Sequence, residues 1–265
     1  LWELNDGNKI ESVLLAEGNR HTVCLSSQVG CPLGCKFCAT GHGGYVRNLS
    51  AGEIIGQVLA IRNDAGKKIS NCVMMGQGEP LLNYDAVIKA LLIINDPKAL
   101  AIGYRHLTLS TCGIIPAIYR LAKENPQFKL AISLHAPNDE LRTQLMPINK
   151  KFPLRELRKA LQFYVKMTRN RITFEYLLLH EINDYTYHAE ELVEFCRNIP
   201  CYINLIPFNP IPDSPWQRSS RKRAQLFYNI LKKANLEVCC RSEKGSDIQA
   251  ACGQLSQKCK LPEVE

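Results

Sequence analysis

Residues 22–41 read Thr22-Val-Cys24-Leu-Ser-Ser-Gln-Val-Gly-Cys31-Pro-Leu-Gly-Cys35-Lys-Phe-Cys38-Ala-Thr-Gly41. Residues 22–29 have the composition of a buried strand, and the three cysteines follow it at C-x3-C-x2-C spacing in a loop closed by small residues. So short a spacing lets one loop wrap a single metal centre. An iron–sulfur cluster takes thiolates, usually four, so three would leave one iron open to another ligand. Zinc would call for a fourth ligand, for which His42 is the nearest candidate. Both readings stand on the triplet alone.

Working outward, residues 10–16 form a hairpin partner for that strand across the turn at residues 17–19. Downstream, strand-like and helix-like stretches alternate. Strands are expected near residues 71–76, 106–111, 129–135, 172–179, 202–208 and 237–241. Helices are expected from the capping box Ser50-Ala51-Gly52-Glu53 onward and near residues 84–94, 115–123, 139–146, 154–167, 188–197 and 221–234, with a short one at 247–255. About six βα units with apolar strands imply an α/β fold with a parallel sheet, best matched by an incomplete (β/α)6 barrel. Residues 1–21 read as an N-terminal β-hairpin extension and residues 22–265 as the barrel with a C-terminal segment. Chemistry on such a barrel sits at the C-terminal ends of the strands. The cysteine triplet, Gly78-Glu79-Pro80, Ser110-Thr111, Ser133-Leu134-His135 and Pro207-Phe208-Asn209 all fall there.

Composition narrows the class. The 265 residues are 46% hydrophobic and 22% charged, as in a chain that builds a core. No apolar run approaches the ~20 residues of a membrane span, and the first residues lack the basic and apolar regions of a signal peptide. Leu1 stands where an initiator Met would be, which reads as a chain cut from a longer one. Twelve cysteines in a chain this long suit metal or thiol chemistry in a reducing, cytoplasmic compartment better than a secreted disulfide scaffold. A net charge of +8, with small basic clusters such as Arg221-Lys222-Arg223, leans towards a polyanionic partner.

Gly76-Gln77-Gly78-Glu79-Pro80 follows a strand but lacks the third glycine of a dinucleotide loop, having Leu81 there. Glu79 supplies a carboxylate suited to an ammonium group. Cys24 and Cys252, taken singly, read as small buried hydrophobes.

The triplet with Ala39-Thr40-Gly41 resembles the signature of the radical S-adenosylmethionine (SAM) superfamily. Nearly the whole chain resembles the RlmN/Cfr family of radical SAM RNA adenine methyltransferases, through residues 24–41, 73–83, 107–111, 131–139, 146–151, 204–209 and 245–255. The resemblance implies a [4Fe–4S] cluster on Cys31, Cys35 and Cys38 and two molecules of SAM per turnover. It implies cofactor contacts at Gly78, Glu79, Ser110, Ser133, Leu134, His135 and Asn209, with Met75 also near the site. Cys252 would accept a methyl group, a 5′-deoxyadenosyl radical would activate it, and the carbon would add to adenine. Glu11 would take the ring proton. Cys24 would release the product by a disulfide with Cys252. The expected partners are 23S rRNA and tRNA, an electron donor and a disulfide reductant, acting on a monomer. Ser133–Asp139 and Ile203–Pro210 are similar to the C2-methylating group, whereas Gly245–Ile248 leans towards the C8-methylating, resistance-conferring group. Two departures stand out: nothing matches the family's N-terminal accessory domain, and Gln77 replaces a common Met. The alternative of another class is a zinc-stabilised RNA-binding module without catalysis.

Overall fold

The computed structural model describes residues 1–211, 214–241 and 252–255. The chain opens with β1 (Trp2–Glu3) and β2 (Lys9–Ile10), a small antiparallel pair. β3 (Val13–Glu17) then runs antiparallel to β4 (Arg20–Cys24), and β5 (Gln28–Gly30) and α1 (Ala39–His42) carry the chain to β6 (Tyr45–Asn48). Alternation follows: α2 (Ala51–Ala65), β7 (Asn71–Met74), α3 (Tyr84–Asn95), β8 (Leu107–Thr111), α4 (Ile115–Glu124) and β9 (Lys129–Ser133). Two helices, α5 (Asp139–Leu145) and α6 (Leu154–Thr168), precede β10 (Ile172–Leu178). The last described elements are α7 (Thr186–Cys196), β11 (Cys201–Pro207), α8 (Arg221–Lys233) and β12 (Glu237–Cys240).

Eight of these strands form one sheet in the order β12-β11-β10-β9-β8-β7-β4-β3, and β5 and β6 pair apart from it. Every pairing from β4 to β12 is parallel, and β3 lies antiparallel on the edge. This is the incomplete α/β barrel that the alternation predicts, with a seventh parallel strand, β12, beyond the six βα units. The central strands are buried along most of their length, and the helices cover the outside. The capping box opens α2 as read: Glu53 N donates to Ser50 Oγ at 3.2 Å and Ser50 N to Glu53 Oε2 at 2.7 Å. Ile54, Val58 and Ile61 of that helix enter the core.

One expected element is corrected. The strand read over residues 22–29 is two strands, because tertiary partners capture the backbone between them. Ser26 N donates to Gln57 Oε1, Gln57 Nε2 returns a bond to Ser26 O, both at 2.9 Å, and Ser27 N donates to Gln77 O at 2.8 Å. With its polar groups taken by side chains and a loop, the segment leaves the ladder, and β5 pairs instead with β6. The hairpin partner read over residues 10–16 breaks similarly at Glu11 and Ser12, where Ser26 Oγ donates to Glu11 O at 2.5 Å. Most of the expected helix 247–255 lies outside the described residues; residues 252–254 are a turn.

Candidate active site

The C-terminal ends of β7 to β10 open into a cavity of about 160 Å³. Cys31, Cys35 and Cys38 line it from the loop between β5 and α1, and Gly78, Glu79, Ser110, Ser133 and His135 line it from the strand ends. Met75 and Cys252 complete this set. The sequence therefore brings together nine of its expected site residues with Met75 on one wall system. Four others lie apart from the lining. Leu134 is wholly buried, its N–H donating to Glu175 O at 3.0 Å. Asn209 is buried and accepts a bond from Arg218 Nη2 at 3.2 Å. Glu11 meets Gln77, whose Nε2 is 3.5 Å from Glu11 Oε2. Cys24 ends β4, where burial and then the neighbouring Cys252 push its thiol up to about 12.

Glu79 is 1% exposed, and the protein satisfies both of its oxygens. Oε1 accepts from Leu81 N at 3.0 Å and Oε2 from Cys112 N at 2.7 Å. Burial nevertheless pushes its carboxyl above the usual range, so a cation brought to it would relieve that cost. Gly78 lets this loop pack closely against residues 27–28. Its φ is +98°, and a Cβ there would lie 2.6 Å from Gln28 Cβ and 2.7 Å from Ser27 Oγ.

His135 also sits at a positive φ, 57°. Its Nδ1 accepts from Leu177 N at 3.0 Å, which leaves the ring proton on Nε2. Burial, with the Arg142 guanidinium nearby, pushes its pKa down to about 3, so the ring is neutral. Phe37 of the cysteine loop packs edge-on against it at 4.7 Å.

The cysteine loop is tied down at several points: Cys31 N donates to Gly44 O, Lys36 N to Leu145 O and Cys38 N to Cys35 O. Burial pushes Cys31 up to about 12 and raises Cys38, so these are thiols that a metal centre would have to deprotonate on binding. A single zinc would pull its donors to within about 4 Å of one another. Among the described residues no three His, Cys, Asp or Glu side chains gather in that way. The exposed His42 instead faces Lys36 O, at 3.0 Å from Nε2. Three thiols from one loop on the wall of a cavity fit a cluster, whose thiolate ligands bind separate irons.

Four site residues escaped the sequence reading. Glu175, on β10, lines the cavity at 4% exposure; a lone acid in the apolar strand Ile-Thr-Phe-Glu-Tyr-Leu-Leu was the available signal. Arg241 lines it from just beyond β12. Cys112 lines it beside Cys35. Arg142, 0% exposed, fastens the loops behind it: Nη2 donates to Cys112 O at 2.7 Å and Ser133 O at 3.2 Å, Nε to Leu134 O at 3.2 Å, and Nη1 to Asn149 Oδ1 at 2.9 Å. No spacing rule marks Cys112, Arg142 or Arg241.

The far end of the chain closes the site. Ala39 N donates to Gly253 O at 2.8 Å and Thr40 Oγ1 to Leu255 O at 2.7 Å, which docks residues 252–255 against the cysteine loop. Residue Cys252 is exposed as a whole, yet its sulfur is crowded by protein, and burial raises its thiol.

Residues 25–196 match the family model described as the radical SAM superfamily. A protein of Thermoanaerobacter sp., named "Probable dual-specificity RNA methyltransferase RlmN", is 52% identical over 258 residues, covering 97% of this chain and 75% of that protein. A relative of the same name from Clostridium tetani is 50% identical over 258 residues, with 97% and 74% covered. A crystal structure of a radical SAM methyltransferase from Sphaerobacter thermophilus superposes with a TM-score of 0.93 at 46% identity, over 96% of this chain and 75% of that one. Streptococcus suis SuiB bound to S-adenosylmethionine, at 15% identity, shares the fold with a TM-score of 0.61, over 89% and 57% of the two chains.

Proposed function

This chain belongs to the radical SAM superfamily and, within it, to the RlmN family of RNA methyltransferases, and from that premise we propose that it methylates C2 of adenine in 23S rRNA and in tRNA, carrying the methyl group on Cys252. It is a SAM-dependent radical enzyme with a [4Fe–4S] cluster, and its substrate is RNA. The C2 position and the residue roles are our reading. The observation that carries it is the docking of residues 252–255 on the cysteine loop, which puts Cys252 on the wall of the cavity that Cys31, Cys35 and Cys38 line.

Cys31, Cys35 and Cys38 would hold the cluster, and Gly78, Glu79, Ser110, Ser133, Leu134, His135 and Asn209 would hold SAM. Together these groups, when bound, supply a 5′-deoxyadenosyl radical. The rest falls to side chains. A ring carbon such as C2 is a poor nucleophile, whereas a thiolate is a good one, so Cys252 collects the methyl first. Its sulfur forms the bond to the methyl as the sulfonium carbon–sulfur bond breaks, and the electron pair leaves on S-adenosylhomocysteine. After the methyl carbon loses a hydrogen atom and joins the ring, Glu11 accepts the ring proton and the unpaired electron left on the adduct passes to a one-electron acceptor, which the oxidised cluster would supply. The Cys24 thiolate then attacks the Cys252 sulfur. The disulfide forms, the sulfur–methylene bond breaks towards the adenine, and a proton completes the new methyl group. An external thiol reductant reopens the disulfide. Glu79 meets the ammonium of SAM, and neutral His135 adds no competing charge.

The Gly245–Ile248 stretch favours a second reading, methylation at C8. Nucleoside mass spectrometry of treated rRNA fragments separates the two: 2-methyladenosine is expected, and 8-methyladenosine alone would overturn the C2 assignment. Cys24→Ala is expected to trap a covalent RNA–protein adduct. Normal methylation by Cys252→Ala would remove the methyl-carrier role.

A further inference from the structure

Ser133, Glu175, Asn204 and Cys239 lie abreast across β9, β10, β11 and β12. A polar row through the middle of a buried parallel sheet is unusual, and its acid is the most demanding member. Glu175 Oε1 accepts from Asn204 Nδ2 at 2.9 Å. Oε2 is buried with no hydrogen-bond partner, 3.8 Å from Arg241 Nη1. The backbone of Arg241 is fixed at the end of the sheet, its N–H donating to Leu205 O at 2.9 Å.

The position of Arg241 is informative. β12 and β4 are separated by five other strands along the sheet, yet Arg241 lines the same cavity as Cys252 and Glu175 and lies near enough to Cys24, at the end of β4, for their charges to interact. The curl of the sheet thus brings one guanidinium to bear on both thiols. Cys252 faces Arg241 and Glu175, and Cys24 faces Cys252 and Arg241. The other ionisable walls of the cavity are Glu79, His135 and the cysteines of the loop and of β8's end. Burial opposes ionisation of both thiols, Cys252 further opposes that of Cys24 and Glu175 that of Cys252; Arg241 works in the opposite sense on both. Glu175 balances the arginine, so the group accommodates one thiolate at a time rather than two.

We propose that Arg241, held by Glu175 and through it by Asn204, is a positioning residue that presents its guanidinium to the reacting sulfurs of Cys252 and Cys24 in turn, first as the methyl is accepted and then as the disulfide closes. This rests on the roles given above to the two thiols. It assigns the buried Glu175 a use the reaction scheme had left open.

The test measures thiol reactivity in the anaerobically reconstituted holoenzyme. Iodoacetamide labelling of Cys252 and Cys24 is followed across pH by peptide mass spectrometry. In Arg241→Met both labelling curves move to higher pH, and each thiol reacts roughly tenfold more slowly at neutral pH, the equivalent of one unit. Arg241→Lys recovers most of the rate, and Glu175→Gln moves the curves to lower pH. Unchanged curves in Arg241→Met at wild-type iron content would overturn the proposal. If Arg241→Met does not retain its cluster, unchanged curves in both Arg241→Lys and Glu175→Gln overturn it instead. The labelling is done on enzyme whose Cys252 carries no methyl and reads the influence of Arg241 whether or not that thiol is the methyl carrier, so it fails separately from the Cys252→Ala assay.

Discussion

Glu79 Oε2 accepts a 2.7 Å hydrogen bond from the backbone N–H of Cys112, and this one contact ties the loop after β7 to the loop after β8. The acid that would meet the SAM ammonium is thereby held still before any ligand arrives. Glu79→Gln keeps the size of the side chain and one acceptor but removes the charge. A hydrogen bond to a charged group contributes about 1.5–3 kcal/mol, so SAM affinity is expected to fall about 10- to 100-fold. Equilibrium dialysis against SAM checks this, with iron content unchanged as the control. Unaltered affinity would reject the role of Glu79.

Arg142 makes four hydrogen bonds from a position with no exposed surface, three of them to carbonyls at the ends of β8 and β9. Arg142→Met takes a donor from each of those buried carbonyls, and only Leu134 O is shown to keep another, from Ala136 N at 2.8 Å. Breaking such a network costs about 3–5 kcal/mol. The melting temperature is expected to drop by on the order of 10 °C at this chain length, as followed by circular dichroism.

His135 sets a pH dependence. Its pKa in the fold is about 3, below the ordinary 6.5, because burial disfavours the charged ring. A depressed pKa contributes stability that is fully present above pH 6.5 and is lost as pH falls towards 3. The slope approaches ~1.4 kcal/mol per pH unit within that window. Urea midpoints at pH 7, 5 and 4 should therefore fall more steeply for the native chain than for His135→Asn. Parallel slopes would contradict a neutral buried ring.

Gly78→Ala tests the tight approach of two segments. The new methyl would meet Gln28 Cβ at 2.6 Å in a backbone conformation that side chains resist. A loss of about 2–3 kcal/mol is expected from the overpacking and the strained φ together. Thermal melts would show it, and an unchanged melting temperature would mean that the loop yields freely.

The parallel strands were legible because burial on both faces leaves a simple apolar run, and the cysteine loop was legible because its ligands are local. What escaped reading was set by partners far along the chain. Gln57 and Gln77 break the strand at residues 25–27, and no local preference of Leu25, Ser26 or Ser27 announces it. Glu175 was visible as an oddity, since an acid in a buried strand has to answer to something. Arg142 and Arg241 acquire meaning only once the strand order puts their targets beside them.

The bonds from Ala39 and Thr40 to Gly253 and Leu255 join positions more than two hundred residues apart in the chain. The loop proposed to hold the cluster and the segment bearing the proposed methyl carrier Cys252 thus share a latch, beside which Gln254 Nε2 also donates to Pro210 O at 2.9 Å. Damage to the loop would unfasten the acceptor at the same moment, which makes the arrangement an interlock: the hazardous species and its intended target come into register together or not at all.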